Sequence, residues 1–459
     1  MTSRIKFTNK FGFIAAAAGS AVGLGNVWKF PFEVGKGGGS AFLIMYILFC
    51  FVLCFPIMVT EIAIGRRAQK SAAMAFTPLG HRGWSWVGAL GVFCGILILS
   101  FYNVVAGWVL GYFVEMLLGN FDIGQHFTEY VSDIATVSGY TIAFLITTSF
   151  IVLQGVTKGI EKANKIMMPG LLAIMLFLVA YALTLDDAMK GIAFYLVPDF
   201  SEININVIYR ALGQSFFSLS LGLGAMMTYG SYLSRNEDII FASALTTLTD
   251  TMVAFLAGLM IFPFVFSQGI PPEGGPGLVF MTMPGIFKSM GPTLGIMIGS
   301  LFFLLLSFAA LTSTISLMEL PTAFMVDKYN IKRKNAVIYS TILIFIVGIP
   351  SMLSNGYSGF FTRFITYIGA DTPVSFMDFV TDIASNTLLP FGGLMVCIFS
   401  IYVWKRRKLF RELTHGNENF TKTFIARYIS FTLQYIAPPV LGAIFIITVL
   451  EIFFGVNIF

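Results

Sequence analysis

Apolar residues in this chain do not alternate with polar ones. They run in long blocks separated by short polar stretches. Eleven blocks approach or exceed the ~20 residues that a helix needs to cross a hydrocarbon core: 11–34, 40–65, 86–118, 138–155, 165–185, 208–233, 240–267, 292–326, 336–354, 376–404 and 424–454. Two of them, 86–118 and 292–326, are too long for a perpendicular crossing, so tilt or extension past the bilayer is predicted. The pattern predicts an all-α polytopic membrane protein. Composition strengthens this reading, because charged residues make up only 11% of the 459 positions and hydrophobic ones 57%. Soluble domains carry about 25% charge, and a disordered chain has too few apolar residues to match.

The polar stretches predict an orientation. With the N-terminus in the cytoplasm, 22 of the 28 Lys and Arg fall in cytoplasmic segments. Only Lys29, Lys36, Lys190, Arg210, Lys288 and Arg363 are left outside. Basic residues concentrate on the cytoplasmic side of membrane proteins, so the net charge of +5 reads as a topology device and gives no reason to expect nucleic-acid binding. An odd number of spans puts the C-terminus outside. Arg4, Lys6 and Lys10 lead into a block that continues as a membrane helix, so no cleavable signal is expected.

Two spans are interrupted at matching points. Span one carries Gly19, Gly23 and Gly25, with Asn26 and Lys29 following; span six carries Ser218 and Ser220 ahead of Gly222 and Gly224. They stand five spans apart, so the chain divides into a repeat at about 11–185, an inverted repeat at about 208–404 and an extra helix at about 424–454. Glycine in membrane helices often serves close packing. Paired interruptions in inverted repeats instead point to a transport site at the bilayer midplane, since unwound backbone is tolerated there only where it lines a cavity or is buried in protein. Freed carbonyls suit a cation, and half-helix N-termini suit an anion.

Catalytic chemistry has little support. Cys50, Cys54, Cys94 and Cys397 all lie in apolar runs and read as packing residues, while His81, His126 and His415 fall in loops. HExxH, GxSxG and P-loop patterns are absent, so no enzyme is expected.

The string GSAVGLGNVWKFPF (Gly19–Phe32) resembles the first-helix signature of the neurotransmitter:sodium symporters. GQSFFSLSLGLG (Gly213–Gly224), FYNVVAGW (Phe101–Trp108) and AALTSTISL (Ala309–Leu317) are similar to that family's signatures on helices six, three and eight. The resemblance covers nearly the whole chain and is strongest to the bacterial amino-acid branch. It implies a leucine-transporter-like five-plus-five inverted repeat with broken helices 1 and 6, a single transmembrane domain, residence in the plasma membrane and contact with its lipid. It also implies Na⁺-coupled symport by alternating access.

The resemblance further implies two sodium sites. The first uses the Ala21 carbonyl, Asn26, Ser218, Asp250 and the substrate carboxylate. The second uses the Gly19, Val22 and Ala309 carbonyls with the Thr312 and Ser313 hydroxyls, although a membrane Thr or Ser more often bonds back to its own helix. The substrate, a hydrophobic or aromatic L-amino acid, is expected to place its carboxylate at the Leu24 and Gly25 amides and the Tyr102 hydroxyl. Its amine meets the Ala21, Phe217 and Ser220 carbonyls. Gly23 and Ser313 border this end, and Ile98, Tyr102, Phe217, Leu223 and Leu317 line the side-chain pocket, with Phe217 closing over it. Lys29 and Asp378 match the outer gate, and Arg4 and Asp327, with Tyr232 nearby, the inner one. Glu61 matches an acid that bonds the unwound sixth helix, whereas Glu319 has no assigned role.

Four positions depart from the family pattern. Lys29 stands for Arg, Phe7 for Trp, Ser218 for Thr, and Asp250 for the Asn of eukaryotic members. A carboxylate at Asp250 supplies fixed negative charge, so no chloride is expected, and after Na⁺ leaves it offers a place for a returning proton. Monoamine carriers of the family place Asp where this chain has Gly23, which favours a substrate bringing its own carboxylate. A monoamine carrier, a proton-coupled carrier of the same fold and a non-transporting sensor are the alternative readings.

Overall fold

A computed structural model describes residues 6–269, 271 and 277–456. Among the described residues the chain is helical, with no strand longer than a single bridge between Ile365 and Val374. The first helix, α1 (Lys10–Ala21), stops short and is followed after a bend of 48° by α2 (Gly25–Lys36). Then come α3 (Ser40–Ala68), α4 (Arg82–Leu117), α5 (Ile134–Leu153) and α6 (Val156–Ala182). The next apolar block divides into α7 (Ile205–Ser218) and α8 (Ala225–Gly230). The remaining long helices are α9 (Ile239–Phe266), α10 (Pro292–Tyr329), α11 (Arg333–Leu353) and α12 (Phe376–Val403). A short helix, α13 (Arg406–Leu413), precedes α14 (Phe424–Phe454). Nine described helices are long and apolar enough to cross a membrane, or ten with the bent pair α1–α2 counted as one.

Side-chain caps fix several starts. Asn9 Oδ1 accepts from the Gly12 amide at 2.9 Å, Asn204 Oδ1 from Val207 at 3.0 Å and Asp238 Oδ1 from Ile240 at 2.8 Å. Each satisfies an amide that the first turn leaves without a partner. The fifth apolar block was expected to begin at 165, but α6 begins at Val156. Its first turns hold Lys158, Lys162 and Lys165, which an apolar run cannot reveal.

Burial sorts the helices into an inner and an outer set. The apolar stretch of α4 is mostly buried, whereas that of α14 is mostly not. Two long helices, α4 and α10, run together through the centre, where a Cβ on Gly95 would sit 2.6 Å from the Leu320 side chain. The two interruptions, at 22–24 and 219–224, both lie in this inner set, where the chain is buried.

Candidate functional site

The interruption after α7 has a backbone cause. Ser220, Gly222 and Gly224 have φ of 52°, 85° and 79°, which no helix accommodates and which favours glycine. Gly222 is doubly constrained, since a Cβ there would lie 2.1 Å from the Leu389 carbonyl of α12. Its amide, freed from any helix, donates to Glu61 Oε1 at 2.7 Å. A buried amide needs such a partner, and Glu61, on α3, supplies it.

At the other interruption, Val22 is extended (ψ 115°) and its carbonyl leaves the helix. That oxygen accepts from Thr312 Oγ1 at 3.1 Å and Ser313 Oγ at 3.2 Å, both on α10. Thr312 Oγ1 also lies 3.0 Å from the Ala309 carbonyl. Gly19 closes the group, because a Cβ there would stand 3.3 Å from Thr312 Cβ and 1.9 Å from Asn164 Oδ1. Asn164 was not singled out in the sequence. It is fully buried on α6, and among the described residues its Oδ1 has no hydrogen-bond partner. An all-oxygen cluster of this kind suits a hard cation.

A second polar cluster surrounds Asp250 of α9, which is fully buried. Its carboxylate accepts from Asn26 Nδ2 (2.7 Å), Ser218 Oγ (2.9 and 3.0 Å) and the Tyr46 hydroxyl (3.2 Å). Tyr46 is a further residue that sequence reading missed. Asn26 Oδ1 accepts from the Gly23 amide at 2.9 Å, so Asn26 turns its nitrogen, not its oxygen, towards Asp250. To ligate a cation there, the amide must turn over, an exchange between two ends of the same shape.

Between the clusters lies a central cavity of about 30 Å³. It is lined by Ala21, Gly23, Gly25, Ile98, Tyr102, Phe217, Ser218, Ser220, Leu223, Ser313 and Leu317, together with Leu389, which sequence reading missed. Leu24 does not line it; Leu24 faces a larger cavity of about 360 Å³ on the side of Lys29 and Asp378. Gly25, Tyr102 and Phe217 border both spaces. The Tyr102 hydroxyl accepts from the Leu24 amide at 2.8 Å, so one end of the central cavity is polar backbone and hydroxyl. Ile98, Leu223, Leu317 and Leu389 make the rest apolar.

The outer pair expected between Lys29 and Asp378 is not formed. Both residues line the larger cavity, but Lys29 Nζ sits 4.5 Å from the centre of the Phe217 ring. Its electrostatic neighbours are Glu33, Arg210 and Asp382. Asp378 instead accepts from Ser375 Oγ at 2.7 Å at the start of α12.

At the opposite end, Arg4 lies outside the described residues, so the Arg4–Asp327 latch does too. Asp327 accepts from the Ser71 amide at 2.6 Å and stands 3.7 Å from Lys70 Nζ. Phe7 is buried, donates its amide to the Tyr232 carbonyl at 3.1 Å and packs edge-on against Tyr229 and Tyr232. Glu319 now has partners. It accepts from the Tyr232 hydroxyl at 2.6 Å and pairs with Arg333, whose guanidinium also donates to the Val152 carbonyl. Glu161, also unmarked in the sequence, accepts from the Thr8 amide at 2.9 Å and holds the N-terminal segment to α6.

Broken helices enclosing oxygen clusters and a small half-polar cavity define a membrane transporter site. The profile of the Sodium:neurotransmitter symporter family matches residues 4–133 and 123–453. The chain belongs to that family and is a multi-pass, sodium-dependent transporter. It is 36% identical to the uncharacterized sodium-dependent transporter YhdH of Bacillus subtilis (strain 168), over 96% of this chain and 97% of the relative. It is 26% identical to the sodium-dependent serotonin transporter of Drosophila melanogaster, over 83% and 69%. Among solved structures it resembles the crystal structure of MhsT in complex with L-phenylalanine. The TM-score is 0.87 and the identity 39%, over 97% of this chain and 99% of that one.

Proposed function

We propose that this transporter imports a hydrophobic or aromatic L-amino acid by symport with Na⁺, and does so without chloride. The observation that carries the reading is the two-ended central cavity. Its polar end, at the Tyr102 hydroxyl and the unwound backbone after α1, suits an α-carboxylate and α-amine. Its apolar end suits an uncharged side chain. MhsT, similar over almost its whole length, is known with L-phenylalanine bound. A monoamine substrate fits less well. Gly23 carries no acid to pair an amine, and a side chain there would begin 2.3 Å from Ser313 Oγ and 2.8 Å from the Tyr102 hydroxyl.

Two cations enter with the substrate in this reading. Ser218, Asp250, Asn26 and the Ala21 carbonyl hold the first with the substrate carboxylate. The Gly19, Val22 and Ala309 carbonyls, Thr312 and Ser313 hold the second, with Asn164 Oδ1 facing the same spot. Asp250 balances the first cation's charge, which is the work chloride does in family members that carry Asn there. Eleven crossings, two inverted five-helix repeats and a cytoplasmic N-terminus complete the arrangement. Phe217 with Lys29 shuts the outer side, and Phe7, Tyr232, Glu319 and Arg333 the inner.

Reconstituted vesicles test this. Labelled L-phenylalanine should accumulate under an inward Na⁺ gradient, equally in chloride and in gluconate, and should not accumulate with choline. Uptake that follows a proton gradient in choline, or that stops in gluconate, would overturn the coupling proposed here.

A further inference from the structure

We propose that the turn between α12 and α14 forms a binding site for a phosphate-bearing anion, the headgroup of an acidic phospholipid. Arg67 at the end of α3, Arg235 after α8, and Lys408 and Arg411 of α13 converge on a cavity of about 370 Å³, which Trp404 and His415 also line. The four cationic side chains are exposed, and among the described residues none forms an ion pair.

Glu412, the one acid among the residues that line the cavity, is already engaged. Glu412, buried in the cavity wall, pairs with Arg66 Nε at 2.8 Å. Asp238 caps α9 and accepts from Asn417 at 2.9 Å. Arg66, fully buried, also donates to the Glu237 and Glu412 carbonyls at 2.6 and 2.5 Å. It thereby fixes α13 against α3, so the cations sit around a rigid floor and are not on free loops. Like charges held together without acids repel, and a multivalent anion relieves this. Guanidinium groups match phosphate oxygens two at a time.

The position favours a lipid as the source of the phosphate. The helix α13 follows directly on α12, one of the apolar spans. It buries Leu409 and Leu413 while Arg406, Arg407, Lys408 and Arg411 stay exposed. Trp404 at the junction is buried against Phe399 and closes the inner wall of the cavity, and basic residues just beyond a span attract acidic lipids.

Native mass spectrometry of the full chain in detergent tests the site, with phosphatidylglycerol, phosphatidylcholine and inorganic phosphate as probes. Phosphatidylglycerol should bind more tightly than phosphatidylcholine. Affinity should fall about fivefold for each charge removed, and about thirtyfold in K408Q/R411Q. K408R/R411K should retain it, and inorganic phosphate should not displace the lipid. Displacement by inorganic phosphate, lost in K408Q/R411Q, would keep the anion site and make free phosphate its source. Equal binding of both lipids and of phosphate to the wild type and to K408Q/R411Q would overturn the site.

Discussion

Tyr102 links the unwound first helix to the expected substrate carboxylate, since its hydroxyl already accepts the Leu24 amide and keeps one proton to donate. A hydrogen bond to a charged partner contributes about 1.5–3 kcal/mol. Tyr102→Phe should therefore weaken L-phenylalanine binding roughly tenfold or more, measured by equilibrium binding in saturating Na⁺. Asp250 carries a second prediction. Its carboxylate lies beside Asn26 and Ser218 and is the fixed charge of the proposed first sodium site, which Asp250→Asn removes while keeping its shape. Uptake by the variant should become dependent on chloride and fail in gluconate; full activity without chloride would remove Asp250 from charge balance. At this scale Gly19, Asn26, Ser218, Asp250, Thr312 and Ser313 were legible because they sit inside recognisable strings. Asn164, Tyr46 and Glu161 were not. They come from helices whose local sequence carries no interruption, and only packing brings Asn164 to Gly19, Tyr46 to Asp250 and Glu161 to Thr8.

Among the elements, the break between α7 and α8 is the most constrained. Gly222→Ala adds a Cβ at φ 85° and 2.1 Å from the Leu389 carbonyl. Left-handed backbone alone costs a non-glycine residue roughly 1–2 kcal/mol, and the clash adds to it. The melting temperature should fall, and Na⁺-dependent substrate binding should weaken with it. An unchanged melting temperature would mean that the unwound stretch relaxes away from α12. The span boundaries were readable from apolar length, as for 424–454, which matches α14 at both ends. The start of α6 was not, because a helix that ends among lysines outside the hydrocarbon has no apolar signature. The role of Glu319 was equally hidden. An acid within a span announces a partner, but Arg333, which provides it, belongs to the next helix and reads as a loop charge. The Lys29–Asp378 pair shows the reverse error, where two charges matched by position face one cavity without meeting.

For the whole molecule, the charge asymmetry makes a topological prediction. The four native cysteines are buried, so a cysteine placed at an exposed position outside the spans reports alone. Glu418→Cys should react with a membrane-impermeant maleimide only after intact cells are opened, and Lys190→Cys should react without opening; the opposite pattern would invert the orientation. The central claim, that Na⁺ and an amino-acid carboxylate share one site between the broken helices, has a sharper thermodynamic signature. Two ligands that contact each other must tighten each other by the same factor. A ligand at a hundredfold excess over its dissociation constant stabilises the folded protein by about 2.7 kcal/mol. That shift is readable as a change in melting temperature. The decisive measurement is the dissociation constant of L-phenylalanine as a function of Na⁺, and of Na⁺ as a function of L-phenylalanine, repeated with phenethylamine, which lacks the carboxylate. The shared site predicts equal reciprocal tightening with the amino acid and its loss with the amine. The same Na⁺ dependence for both compounds, or none for either, would contradict it.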